Sequence, residues 1–142
     1  MAVILHGYLR ATADLDLVIG LEQGNCERGL AALASIGFKP RLPVAMEDFA
    51  DPRKRKEWDE GRNMLVFQLW DPANPVRSLD VFVKEPFDFG ELLRSAVTKD
   101  IDGLCVHVAS IEHLIQMKQA AGRARDLDDI AKLRQIRDEE SP

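Results

Sequence analysis

Two runs of alternating apolar and polar residues, "NMLVFQLWD" (63–71) and "VRSLDVFVK" (76–84), flank the proline- and asparagine-bearing break "DPANPV". Branched and aromatic residues at period two read as strands, and a turn-forming break between them predicts a hairpin. A hairpin needs one face covered, so the remaining sequence must supply that cover. In the second run Leu79, Val81 and Val83 share one face, while Asp80 falls on the other beside Phe82.

Around this pair the chain alternates between helix and strand signals. A short helix is expected at about 1–7, a turn through Gly7-Tyr8-Leu9-Arg10, and a strand at 14–19. A helix follows at about 25–35, closed by Gly37. "FKPRLPV" is extended and broken by proline, and "MEDFADPRKRKEWDEG" is polar, irregular or helical. "PFDFGELLRSAV" reads as a helix with Pro86 near its start, and "GLCVHVA" as a short strand. Ser110 then caps a helix running to about Ala121, and a last helix spans about Arg125 to Arg137. The order predicts an α+β (α/β) chain, a mixed sheet flanked by helices. At 142 residues with no internal repeat or long linker, residues 1–142 are expected to form a single domain.

The first strand carries "RATADLDLVIG", with Asp14 and Asp16 where a core strand would carry branched apolar residues. Alternation puts Asp14, Asp16 and Val18 on one face and Leu15, Leu17 and Ile19 on the other. Two acids so spaced have Cα atoms about 6.5 Å apart, close enough for both carboxylates to reach one divalent cation. Carboxylate oxygens suit Mg²⁺, which takes one or two protein acids plus substrate phosphates. If the "RSLDVFV" strand is the neighbour, Asp80 joins them. Spacing alone also fits Asp14 as a turn residue, with Asp16 and Asp80 facing solvent.

"HGYLRATADLDLVI" resembles the signature of minimal nucleotidyltransferases of the polymerase-beta-like superfamily, most of all the branch that includes the abortive-infection toxin nucleotidyltransferases. The matching positions are His6-Gly7, Arg10, Thr12, Asp14 and Asp16. "SLDVFVKEPFDF" resembles that family's strand with the third carboxylate, at Asp80. "LIQMKQAAGRARDLDDI" resembles its Lys-x-x-Ala-x-x-Arg-x-x-Asp block through Lys118, Ala121 and Asp126, with Arg125 just before the acid. The resemblance implies a nucleotidyltransferase-like fold that moves a nucleoside monophosphate from a nucleoside triphosphate to an acceptor hydroxyl. It implies Asp14, Asp16 and Asp80 as metal ligands and catalytic residues, and Lys118 as a charge near the phosphates. Arg10, Thr12, Lys118 and Asp126 would bind or order the nucleotide. RNA, a protein side chain or a small molecule could be the acceptor. Relative to the family pattern, the glycine pair and the strand and helix that lead into it would precede Met1. The sheet is therefore expected to carry an unpaired edge that pairs with a second copy as a homodimer. A catalytically impaired module, the partner of a cognate antitoxin or a regulatory binder, is the alternative.

Other residues carry two readings each. Ile111, Leu114 and Ile115 make a helical apolar stripe whose next position is Lys118, where a lysine also snorkels to solvent. Asp126 and Asp129 open the last helix, where acids also favour the positive end of the helix dipole. "RKRK" (53–56), before Glu57 and Trp58, is a solvated helix face or a contact for acceptor RNA with Trp58 as a stacking partner. His107 and His113 are not read as metal ligands. A net charge of −5 argues against broad, sequence-independent coating of nucleic acid and leaves a local basic site open. Cys26 and Cys105 have no zinc or disulfide spacing, "MAVIL" is no signal peptide, and no apolar run approaches the ~18 residues of a membrane span. A cytoplasmic protein with no membrane contact and with reduced, partly buried thiols is the expectation.

Overall fold

A computed structural model describes residues 1–9, 11 and 14–140, with Asp14 and Glu140 described through their backbones alone. The fold is a mixed α+β arrangement, with six α-helices, a four-stranded mixed sheet and a two-stranded sheet among the described residues. The chain divides into two compact units, one built from residues 13–89 and the other from residues 1–12 and 90–142.

The 13–89 unit holds the four-stranded sheet. Its strands are β1 (Asp14–Leu17), β2 (Lys39–Pro40), β3 (Val66–Asp71) and β4 (Asn74–Phe82), in the order β1-β4-β3-β2. β3 and β4 form the expected antiparallel hairpin, and β1 lies parallel to β4 at the edge. The break between β3 and β4 is secured by Asp71, which accepts from the Ala73 N–H at 2.9 Å and from Arg77 at 2.7 Å. α1 (Ala2–Leu5) belongs to the other unit. α2 (Gln23–Ser35), a 3₁₀ turn at Met46–Ala50 and α3 (Pro52–Arg62) carry the apolar groups that complete the core of the 13–89 unit.

That core takes one side of the sheet. Phe67, Leu69, Leu79 and Val81 are buried with Cys26, Leu30, Phe49 and Trp58, and Leu17 and Ile19 pack against the cluster. Trp58 stacks on Phe67 with ring centroids 5.3 Å apart and planes 7° from parallel. The segment expected to be polar thus delivers the largest aromatic of this core. α3 is anchored by Asp51, whose carboxylate accepts from the Arg53 N–H, with Pro52 at the first helical position. α2 follows Glu22, whose carboxylate accepts from the N–H groups of Gly24 and Asn25, both at 2.9 Å. Those two backbone donors hold the Glu22 carboxyl below its ordinary range.

The second unit packs α1 against α5 (Ile111–Ala121) and α6 (Ala124–Glu140) through Val3, Ile111, Leu114, Ile115, Ile130 and Leu133. The predicted stripe on α5 is therefore a core stripe. Ser110 caps α5 by accepting from the His113 N–H, and Gly122 ends it in the left-handed conformation, φ +62°. α4 (Phe89–Ser95) precedes a two-stranded hairpin, β5 (Val97–Ile101) and β6 (Leu104–Val108). The sequence reading anticipates only β6, because β5 alternates weakly and carries Thr98, Lys99 and Asp100. Asp102 and Gly103, both at positive φ (+52° and +85°), form the two-residue turn that Asp-Gly favours, which is the overlooked signal. No helix among the described residues is long and apolar enough to cross a membrane.

Trp58→Ala removes the stacked aromatic from a buried site. It is expected to cost about 3–5 kcal/mol of unfolding free energy in a denaturant titration, the range for emptying an aromatic core position.

Candidate functional site

β1 and β4 bring the carboxylates of two distant segments side by side. In their parallel pairing Asp14 stands opposite Ser78, Leu15 opposite Leu79, Asp16 opposite Asp80 and Leu17 opposite Val81. Residues directly paired on neighbouring strands share a face. Leu79 and Val81 point into the core, so Asp16 and Asp80 lie together on the opposite side. Asp16 is exposed and Asp80 half-buried. Neighbouring strands run about 4.8 Å apart, which places the two acids within reach of one divalent cation. Asp14 is fixed two residues earlier on β1 by its backbone pairing; its side chain lies outside the described residues, as do Arg10 and Thr12. On the other flank Asp80 pairs with Gln68 of β3, which continues the polar face.

The exit of β1 is held by a set of side-chain bonds. Leu21 donates its N–H to the Glu85 carboxylate at 3.2 Å, tying the segment after β1 to the one after β4. The Leu21 carbonyl accepts from Arg55 at 3.2 Å, and the Gly20 carbonyl accepts from the Asn25 side chain at 2.8 Å. Arg55 is buried, sits over the Phe49 ring and also donates to the Phe49 carbonyl. Burial pushes the neighbouring Cys26 thiol up, against the pull of the Arg55 charge. The register of the acidic pair is thus braced from α2, α3 and the loop after β4.

The basic run "RKRK" is divided by this arrangement. Arg55 turns into the core and Lys54 pairs with Asp48, while Arg53 and Lys56 face solvent. Trp58, at 3% exposure, is a core residue, which sets aside the alternative in which it stacks on an acceptor RNA. The helix periodicity of an amphipathic segment with few apolar residues left its buried side unmarked in the sequence.

Lys118, Asp126 and Asp129 meet in the other unit. The tight link at Gly122 and Arg123 folds the last turn of α5 against the first turns of α6. Lys118 reaches Asp126 at 3.3 Å and contacts Asp129 directly, and its side chain is only 14% exposed. The snorkelling alternative is therefore set aside. Arg123 grips Asp126 with two guanidinium bonds, at 2.8 and 3.4 Å, and adds its backbone N–H at 3.2 Å. Asp126 is at once a cap for the start of α6 and a counter-ion for Lys118. Arg125, singled out beside it in the sequence, is exposed. Asp129 enters this cluster because positions i and i+3 share a helix face, a spacing visible in "DLDD". Burial is the largest influence on Asp126 and opposes its charge, but the Arg123 and Lys118 bonds outweigh it and hold the carboxyl below its usual range.

Among the described residues, no three His, Cys, Asp or Glu side chains gather around a common point. Both cysteines are free, Cys26 buried and Cys105 exposed. Compared with known proteins, the chain matches no family model and no curated sequence.

Asp126→Asn leaves Lys118 and Arg123 short of a buried counter-charge and is expected to destabilise the chain by about 3 kcal/mol in urea titrations. Because the folded-state carboxyl titrates below its unfolded value of about 3.9, its contribution is complete above that pH and fades as pH falls. Wild-type stability should therefore drop more steeply below about pH 4 than that of Asp126→Asn, measured by thermal melts across pH.

Proposed function

We propose that the chain is a nucleotidyltransferase-like protein that moves a nucleoside monophosphate from a nucleoside triphosphate to an acceptor hydroxyl. The observation that carries this reading is the in-register pairing of Asp16 with Asp80 on the polar face of a parallel strand pair, with Asp14 two residues before. The order of motifs along the chain supports it, since the resemblance at "HGYLRATADLDLVI", "SLDVFVKEPFDF" and "LIQMKQAAGRARDLDDI" covers three separate places.

The donor set suits Mg²⁺, a hard cation that takes one or two carboxylates and completes its shell with substrate phosphates and water. Asp16 and Asp80 would hold the ion, joined by Asp14. Bound there, it would neutralise charge on the triphosphate. Asp80 takes the proton from the acceptor hydroxyl, whose oxygen attacks the α-phosphorus. The new oxygen–phosphorus bond forms as the bond to pyrophosphate breaks, and pyrophosphate departs with the negative charge. The Leu21–Glu85 tie keeps both strand ends in register while this happens, which preserves the spacing of the two acids. RNA, protein and small-molecule acceptors, and a cytoplasmic setting, are all compatible with this reading.

A second reading is favoured by Lys118. Its ammonium is already engaged by two buried carboxylates, which suits a structural ion cluster in a non-catalytic module that binds an antitoxin or another regulatory partner.

Mg²⁺ at about ten times its Kd is expected to stabilise the wild type by about 1.4 kcal/mol, seen as a rise of several degrees in Tm. Asp16→Asn and Asp80→Asn should show no such rise. Labelled nucleoside triphosphates should transfer label to an RNA, protein or small-molecule fraction with the wild type and not with either variant. Absence of both the Mg²⁺ response and label transfer in the wild type sinks the enzymatic reading.

A further inference from the structure

We propose that the unit formed by residues 1–12 and 90–142 carries an oxyanion-binding site, separate from the sheet carboxylates and independent of the reading above. A cavity of about 380 Å³ opens there, lined by His6, Val97, Lys99, Ser110, Ile111, Glu112 and Arg137. That volume falls within the range of small-molecule sites.

Its polar groups are arranged for an anion. Lys99 is half-buried on β5, where its backbone pairs with β6, and its ammonium meets no carboxylate or other hydrogen-bond partner among the described residues. A cation held partly out of water without a counter-ion gains from an anionic ligand. His6, only 6% exposed, ends α1 with Nε2 2.8 Å from the Ala109 carbonyl. A carbonyl only accepts, so Nε2 carries the proton and Nδ1 is an acceptor; His6 therefore lines the cavity as a neutral wall and leaves the anion to Lys99. Arg137 is balanced by Glu112 at 3.3 Å and Asp138 at 3.1 Å, so the one acid in the lining already has its cation. Lys99 therefore remains as the uncompensated charge in the lining. The first turn of α5 borders the same space, and its leading N–H groups have no acceptor within the helix. Val97 and Ile111 supply apolar wall against which a carbon skeleton can lie.

The ligand this describes is a small molecule with a phosphoryl or carboxylate head and a compact body. The oxyanion head would meet the Lys99 ammonium, and the body would cover Val97 and Ile111. The sequence left no trace of this cavity, because its lining residues come from α1, β5, α5 and α6 and share no local motif.

The test is a titration of the full chain with inorganic phosphate and, separately, with succinate, in metal-free buffer. Binding is followed by calorimetry and by amide NMR. Saturable binding of either probe that shifts the amides of Val97, Lys99 and Ile111 is the expected result. Phosphate alone identifies a phosphoryl ligand, succinate alone a carboxylate, and both a site that reads the oxyanion itself. Lys99→Met should weaken binding by about tenfold or more, and Lys99→Arg, which keeps the charge, should retain it. Lack of saturation with both probes overturns the proposal. So does equal affinity in wild type and Lys99→Met, or equal loss in Lys99→Met and Lys99→Arg.

Discussion

The parallel pairing of β1 with β4 is the constraint from which the candidate chemistry follows. A single-residue slip along that ladder would exchange the faces of β1, exposing its apolar side and driving Asp16 into the core. Burial of Leu79 and Val81 on one side, with Leu17 and Ile19 packed beside them, makes such a slip costly. The apolar face thus holds the acidic face in place. Because β1 has only four residues, its own ladder is short, and the bonds around Gly20 and Leu21 supply the rest of the hold.

A different principle organises the second unit. There a lysine and two aspartates are withdrawn from water together, with Arg123 closing one side. Each charge is tolerable only because the others are present, so the cluster ties the end of α5 to the start of α6 more specifically than apolar contact does. Helix polarity works in the same direction, since Lys118 lies near a negative helix end and Asp126 near a positive one. This engagement of Lys118 is what separates the catalytic reading from the binding-module reading, because a phosphate contact would have to compete with two buried carboxylates.

Much of the fold was legible. The β3–β4 hairpin, the helix capped by Ser110 and ending at about Ala121, and the one-sided apolar pattern of β4 all follow from local rules of period, cap and turn. The extent of β5 escaped because polar residues blunt its alternation, although the Asp-Gly turn beside it was in plain view. The role of α3 escaped for a related reason. Only Trp58 among its large side chains is apolar, and the buried Arg55 satisfies carbonyls in a way that no periodicity records.

The sequence by itself determined which residues could be neighbours along a strand or a helix turn: Asp14 with Asp16, Asp126 with Asp129, and Ile111 with Leu114 and Ile115. Those relations depend only on the repeat of the backbone, 2 in a strand and about 3.6 in a helix. Tertiary structure alone decided that β4 rather than another strand lies beside β1, that Lys118 is shared by two buried acids, and that Arg55 is withdrawn from solvent. Each of those outcomes joins residues far apart in the chain or selects the side of a helix that is covered. Such choices are made by the summed packing of the core and by the cost of leaving a charge or a peptide group unpaired within it.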